Sequence, residues 1–263
     1  MLTSGMLDHY QYLFVGGILG ELLALPFVGS YFKETQEILR EQGARHVEIY
    51  FPNSYRSAED NARDLAREVL RLYRLNGKKV ILFCHSKACL EAVLALLDCP
   101  GLFKKSVHKI FCIQPPFKGS SLTEKQPGLA RSRVVNRVYR ASSKVWPALR
   151  SLKKDRYTAR FENLAQTRPD LAALMTDKVV AVKGAKYQID KVAWVLKISH
   201  GLLWQSGEET DGLLSMRDQE MPGFKVREVK IPMDHSDLFT SKNISNESLQ
   251  FKTDILEKLL TLA

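Results

Sequence analysis

Ser86 sits where two kinds of sequence meet. Before it, Val80-Ile81-Leu82-Phe83-Cys84-His85 is a largely apolar, partly β-branched run that reads as a buried strand. After it, Lys87-Ala88-Cys89-Leu90-Glu91-Ala92 opens an Ala/Leu-rich stretch with helical spacing through Leu97. A hydroxyl on a sharp strand-to-helix turn is pushed out of the sheet, and the first helical turn directs N–H groups towards it. The chemistry open to such a residue is nucleophilic attack, with helix amides beside the charge that develops. Small residues at Cys84 and Ala88 suit a turn that brings strand and helix backbones together. The alternative is a serine that merely caps the next helix.

Cys84-His85-Ser86-Lys87-Ala88 resembles the G-x-S-x-G nucleophile elbow of the α/β-hydrolase family, in its lipase and esterase branch, with both glycines replaced by other small residues. Further segments are similar to the same branch. Tyr12-Leu13-Phe14-Val15 runs into Gly16-Gly17-Ile18-Leu19-Gly20, where bacterial lipases commonly read His-Gly-x-x-Gly. Gly16 stands in place of that histidine, and the resemblance puts the backbone N–H of Ile18 in the oxyanion hole, beside that of Lys87. Pro116-Phe117-Lys118-Gly119-Ser120 matches a Pro-x-x-Gly-Ser loop that lies near the serine and before the lid. Asp211-Gly212-Leu213-Leu214 is similar to the Asp-Gly-Leu-Val segment that holds the triad acid, with Glu208 and Glu209 as neighbouring competitors. His235 follows the last expected strand, where this fold carries its base.

The order Ser86, Asp211, His235 is the family's order of nucleophile, acid and base. The resemblance implies hydrolysis of carboxylic esters, lipid or acyl esters foremost, through an acyl-Ser86 intermediate. Two rivals stay open. Cys84, Ala88 and Gly16 depart from the family pattern, which would suit a non-catalytic binding scaffold. The same fold also supports acyltransferases. The Lys87 side chain is expected to be solvated on the first helical turn, and His85 to point away from the pocket.

The elements that must position these residues alternate along the chain. Strands are expected at Tyr12–Val15, His46–Phe51, Val80–His85, Val107–Ile113, Val179–Gly184 and Phe224–Ile231. Helices are expected over Phe32–Gln42, from a Ser57 cap to Asn76-Gly77, after Ser86, and over Leu249–Leu260. Strand–helix–strand order implies parallel strands. The expected architecture is one α/β-hydrolase domain over 1–263: a mostly parallel sheet, helices on both faces, and a basic helical lid inserted over 119–177.

The formal net charge is +10. Lys118–Arg168 holds 13 Lys/Arg against three acids, so this stretch carries the whole excess. Within it Arg133, Arg137, Arg140 and Lys144 share one helical face, opposite Val134, Val135, Val138, Val145 and Leu149. One reading is a lid that meets an anionic membrane surface; the other is a helix packed by its valines with a solvated basic face. Nucleic acid is not expected, since no recognition motif accompanies the charge. The four cysteines read as reduced core residues, and no His/Cys cluster has metal-ligand spacing, so neither metal nor cofactor is expected. Tyr12–Tyr31 is apolar but broken by Glu21 and Pro26, so it reads as strand, glycine loop and helix rather than as a membrane span. A cytoplasmic protein, peripheral to a membrane at most, is expected.

Overall fold

Alternate residues of the central strands are enclosed on opposite sides of one sheet. The computed structural model describes residues 7–18, 31–121, 146–187, 196–204, 207–238 and 246–263. The strands are β1 (Gln11–Val15), β2 (Val47–Tyr50), β3 (Val80–His85), β4 (Val107–Ile113), β5 (Val179–Gly184) and β6 (Arg227–Ile231). They form a six-stranded sheet in the order β2-β1-β3-β4-β5-β6, and every pairing is parallel. Leu13, Val15, Leu82, Cys84, Ile110, Cys112 and Ala181 face one core; Tyr12, Phe14, Ile81, Phe83, Phe111, Ile113, Val180 and Val182 face the other. Near-continuous apolar runs are what strands covered on both faces require.

The first core is closed by α2 (Ala58–Asn76), α3 (Lys87–Asp98), α4 (Pro100–Ser106), α6 (Thr158–Thr167) and α7 (Pro169–Lys178); the second by α1 (Lys33–Glu41) and α9 (Asn246–Leu260). Two short helices, α5 (Trp146–Ser151) and α8 (Lys197–Trp204), complete the described set. The Ser57 cap expected for α2 is present: Ser57 Oγ accepts from the Asp60 N–H at 3.1 Å. In the second core the Phe14, Phe83 and Phe111 rings stack across β1, β3 and β4 at 4.9 and 5.1 Å between centroids. Such pairs add about 0.5–1.5 kcal/mol each beyond the area they bury.

One expected boundary shifts and one helix is added. The last strand begins at Arg227 rather than Phe224, because Phe224 turns into the first core beside Phe161. Cys99-Pro100-Gly101 opens a further helix, α4, with its proline at the first helical position. Of the expected insertion, 122–145 lies outside the described residues. The described remainder packs on the domain, with Tyr157, Phe161, Leu171 and Met175 in the first core.

The chain leaves β1 towards β2 on one side and returns through β3 on the other, so the sheet's direction of travel reverses between β1 and β3. In open parallel sheets the crevice at that reversal, beyond the carboxyl ends of the strands, is where ligands bind. The segments that emerge there are Gly16–Ile18 and Ser86. No helix among the described residues is long and apolar enough to cross a membrane.

Candidate active site

Ser86 terminates β3 in a conformation that few residues adopt. Its φ is 56° and ψ −125°, and its side chain makes no capping hydrogen bond to α3. The helix-cap alternative therefore does not hold. A non-glycine residue kept at positive φ costs about 1–3 kcal/mol and persists where the surroundings dictate it. Here the Ser86 N–H donates to Ile113 O at 3.0 Å, and its own carbonyl accepts from the Cys89 N–H at 3.0 Å. Cys84 and Ala88 are wholly buried on either side of the turn.

The glycine loop after β1 comes up against this turn. A Cβ on Gly17 would lie 3.0 Å from both the His85 carbonyl and Ser86 Cβ, and 3.6 Å from Ser86 Oγ. A larger residue there would crowd the turn, and glycine allows the approach without displacing it. Ile18 is the next residue of the loop, and the Lys87 N–H belongs to the first turn of α3, where a helix leaves its amides without carbonyl partners.

Asp211 and His235 are brought together. His235 Nδ1 lies 2.7 Å from Asp211 Oδ2. The other carboxylate oxygen accepts the N–H groups of Leu213 and Leu214 at 2.9 and 2.8 Å, and the His235 N–H donates to the Asp211 carbonyl at 2.8 Å. Asp211 is fully buried, whereas the competitor Glu209 is exposed. The turn carrying His235 is closed by its neighbours: the Ser236 N–H donates to Asp234 Oδ1 and the Asp234 N–H to Asp237 Oδ2, both at 2.8 Å. Burial, and then the like charge of Asp234, push the Asp237 carboxyl up, against the pull of Lys186. The His235 ring lies 4.6 Å from that of His85, the residue before Ser86. The described backbone thus carries Ser86, the Asp211–His235 pair and Gly17–Ile18 to one rim of the sheet.

Two side chains depart from expectation. Lys87 is not solvated: it is 1% exposed, and its ammonium pairs with Glu91 one turn along α3. Glu91 also accepts from Asn61 Nδ2 at 2.8 Å, and Asn61 in turn donates to the Asn53 carbonyl at 2.9 Å. Burial pushes the Glu91 carboxyl up, with Lys87 opposing. The reason is that α2 covers the face of α3 on which Lys87 lies. Nor does His85 turn away. It is buried against the His235 ring, and its Nδ1 meets the Tyr31 hydroxyl. Burial, and then His235, hold the imidazole well below the usual histidine range, so it is neutral. Burial also pushes the Tyr31 phenol up, so it keeps its proton. The phenol O–H therefore donates to Nδ1, and the imidazole proton is assigned to Nε2.

Three further polar residues lie outside the motifs of the sequence. Gln114 ends β4 at φ 50°, fully buried, and its Nε2 donates to the Asp234 carbonyl at 2.9 Å. Asp218 joins the Pro116–Ser120 loop to the Asp211 segment, accepting from Ser121 Oγ at 2.8 Å and from the Ser215 N–H at 3.1 Å. Tyr31 has just been placed. A polar residue closing an apolar strand was the one available signal for Gln114; Tyr31 and Asp218 had none. Cys84, Cys89 and Cys112 are buried free thiols and Cys99 is exposed. Arg133, Arg137, Arg140 and Lys144 lie outside the described residues, as do 191–195.

Similarity to known proteins lies in shape rather than sequence. No family model matches the chain, and no curated protein matches it. A metagenomic carboxyl esterase superposes at TM-score 0.68 with 19% identity, over 94% of this chain and 71% of its own. The mature form of a Bacillus licheniformis lipase superposes at 0.64 with 18% identity, over 95% and 90%. The chain has the α/β-hydrolase fold. Gly17, Ile18 and Ser86 stand at the carboxyl ends of β1 and β3, at the switch point where open parallel sheets bind their ligands. A Listeria innocua gene product shares the shape more loosely, at TM-score 0.52 and 15% identity over 95% of both chains.

Proposed function

We propose that this protein is a serine hydrolase of carboxylic esters, acting through Ser86, His235 and Asp211. The observation that carries the reading is the 2.7 Å contact between His235 Nδ1 and a buried Asp211 carboxylate, on the rim that also holds a strained Ser86. That contact fixes the imidazole with its proton on Nδ1 and leaves Nε2 as the base. His235 takes the Ser86 proton as Oγ attacks the ester carbonyl, and returns it to the leaving alcohol. Asp211 stabilises the imidazolium formed in between. The N–H groups of Lys87 and Ile18 receive the tetrahedral oxyanion, where one donor is worth about 3–4 kcal/mol of barrier. Water then cleaves the acyl-Ser86 ester by the same route in reverse.

Lipid or acyl esters are the proposed substrate class, in keeping with the esterase and lipase that share this shape. We further read the run of Arg133, Arg137, Arg140 and Lys144 as part of a lid that meets an anionic lipid surface, with the protein cytoplasmic and peripheral to the membrane. That reading rests on helical spacing and on the concentration of charge in Lys118–Arg168.

The test is a chain-length series of p-nitrophenyl esters on wild type and Ser86→Ala, with fluorophosphonate labelling alongside. Wild type is expected to label at Ser86 and to turn over, and Ser86→Ala to lose both while keeping its circular dichroism. Turnover retained in Ser86→Ala removes the serine from the mechanism. Wild type that never labels favours a binding scaffold. Transfer to an added alcohol in preference to water would make the protein an acyltransferase.

A further inference from the structure

We propose that Tyr31, His85 and Gln114 form a belt of positioning residues that ties the Gly17–Ile18 loop and the His235 turn to the Ser86 elbow. This rests on the ester-hydrolase reading for its catalytic consequence, though not for its existence.

The belt crosses the ends of three neighbouring strands. On the β1 side the Gly17 N–H points to the Tyr31 hydroxyl at 3.4 Å, and that hydroxyl meets His85 Nδ1 at the end of β3. His85 packs against the His235 ring at 4.6 Å between centroids. On the β4 side Gln114 Nε2 donates to the carbonyl of Asp234, the residue before His235, at 2.9 Å. Donors thus run from the Gly17 N–H through the Tyr31 hydroxyl to His85 Nδ1, and a separate donor runs from Gln114 to the turn that carries His235. Hydrogen bonds aligned in this way polarise one another in a dry interior.

Two observations show that Gln114 is held deliberately. It is a non-glycine residue at φ 50°, beside Ser86 at φ 56° on the adjacent strand. On its other flank, a Cβ on Gly184 would lie 2.5 Å from Gln114 Nε2 and 3.0 Å from its Cγ, so β5 leaves room for this side chain and nothing more. None of the three residues has a part in the proton transfers described above. Their effect is on where the oxyanion donors and His235 stand relative to Ser86, and misplacement on the scale of an ångström reduces rates steeply.

The experiment is a double-mutant cycle on the full chain with Tyr31→Phe and Gln114→Met. The readouts are kcat and KM on a short p-nitrophenyl ester, with kcat expressed per serine titrated by fluorophosphonate. Each single variant is expected to lose about ten- to a hundredfold in kcat per titrated serine, with KM within about threefold. The double variant is expected to lose no more than about threefold beyond the worse single one, because both act on where His235 stands: Tyr31 through the packed His85 ring, and Gln114 through the Asp234 carbonyl. Gly184→Ala keeps every polar group and is expected to reproduce the Gln114→Met loss by pressing on the amide. Residues that only support the fold would lower the number of titratable serines and leave kcat per serine unchanged. That outcome, or losses that multiply in the double variant, overturns the belt. If wild type neither labels nor turns over, the ester-hydrolase reading fails, and the same cycle in urea unfolding still decides the belt. Midpoint shifts that fall short of their sum in the double variant support it, and additive shifts overturn it.

Discussion

His85 is a histidine that the fold keeps from charging. Its folded-state pKa lies well below the ordinary 6.5, chiefly through burial. As the pH falls, the unfolded chain takes up the proton first, so the stability tied to neutral His85 is complete above about 6.5 and declines below it, by up to about 1.4 kcal/mol per pH unit. Urea unfolding between pH 7 and 5 should show this acid limb in wild type and a shallower one in His85→Gln; equal slopes would mean that another group carries it. The pairing of Asp211 with His235 was legible in the sequence because each lies in a short segment whose residue types are distinctive. Tyr31 and Gln114 were not, since their partners come from other strand ends and no local pattern records that.

At the scale of the element, α3 shows where sequence reasoning overreaches. The spacing of Lys87 and Glu91 is the ordinary i, i+4 spacing of a solvated helical ion pair. Whether water or protein surrounds such a pair depends on α2, which brings Asn61 over it, and one helix cannot report its neighbour. With both charges enclosed, removing one is far worse than removing both. Lys87→Met is expected to destabilise the fold by about 3–5 kcal/mol in urea unfolding, and Lys87→Met with Glu91→Leu to recover most of that loss. A double variant as unstable as the single one would mean that the pair stabilises in its own right. The expected strand β6 illustrates the opposite error. Alternation alone extends it to Phe224, but that residue is claimed by the first core, so pairing begins three residues later.

For the molecule as a whole, parallel strands with helices on both faces could be read from the order of the elements, because apolar runs bounded by helices leave few other solutions. Charge is also a property at this scale: the net +10 arises within Lys118–Arg168. Arg137→Glu with Arg140→Glu is expected to weaken sedimentation with anionic vesicles severalfold while changing turnover of a short soluble ester less than about twofold, since cations near a lipid surface act through summed attraction to it. Unchanged sedimentation, or none in wild type, would leave the membrane reading without support. Every residue of α3 from Lys87 to Leu97 is enclosed. A helix so placed has no local route to fraying, and its amide hydrogens exchange with solvent only when the entire structure opens. The elbow at its head is therefore expected to be lost together with the fold, so that the Ser86 turn and the far-ultraviolet circular dichroism disappear at the same temperature.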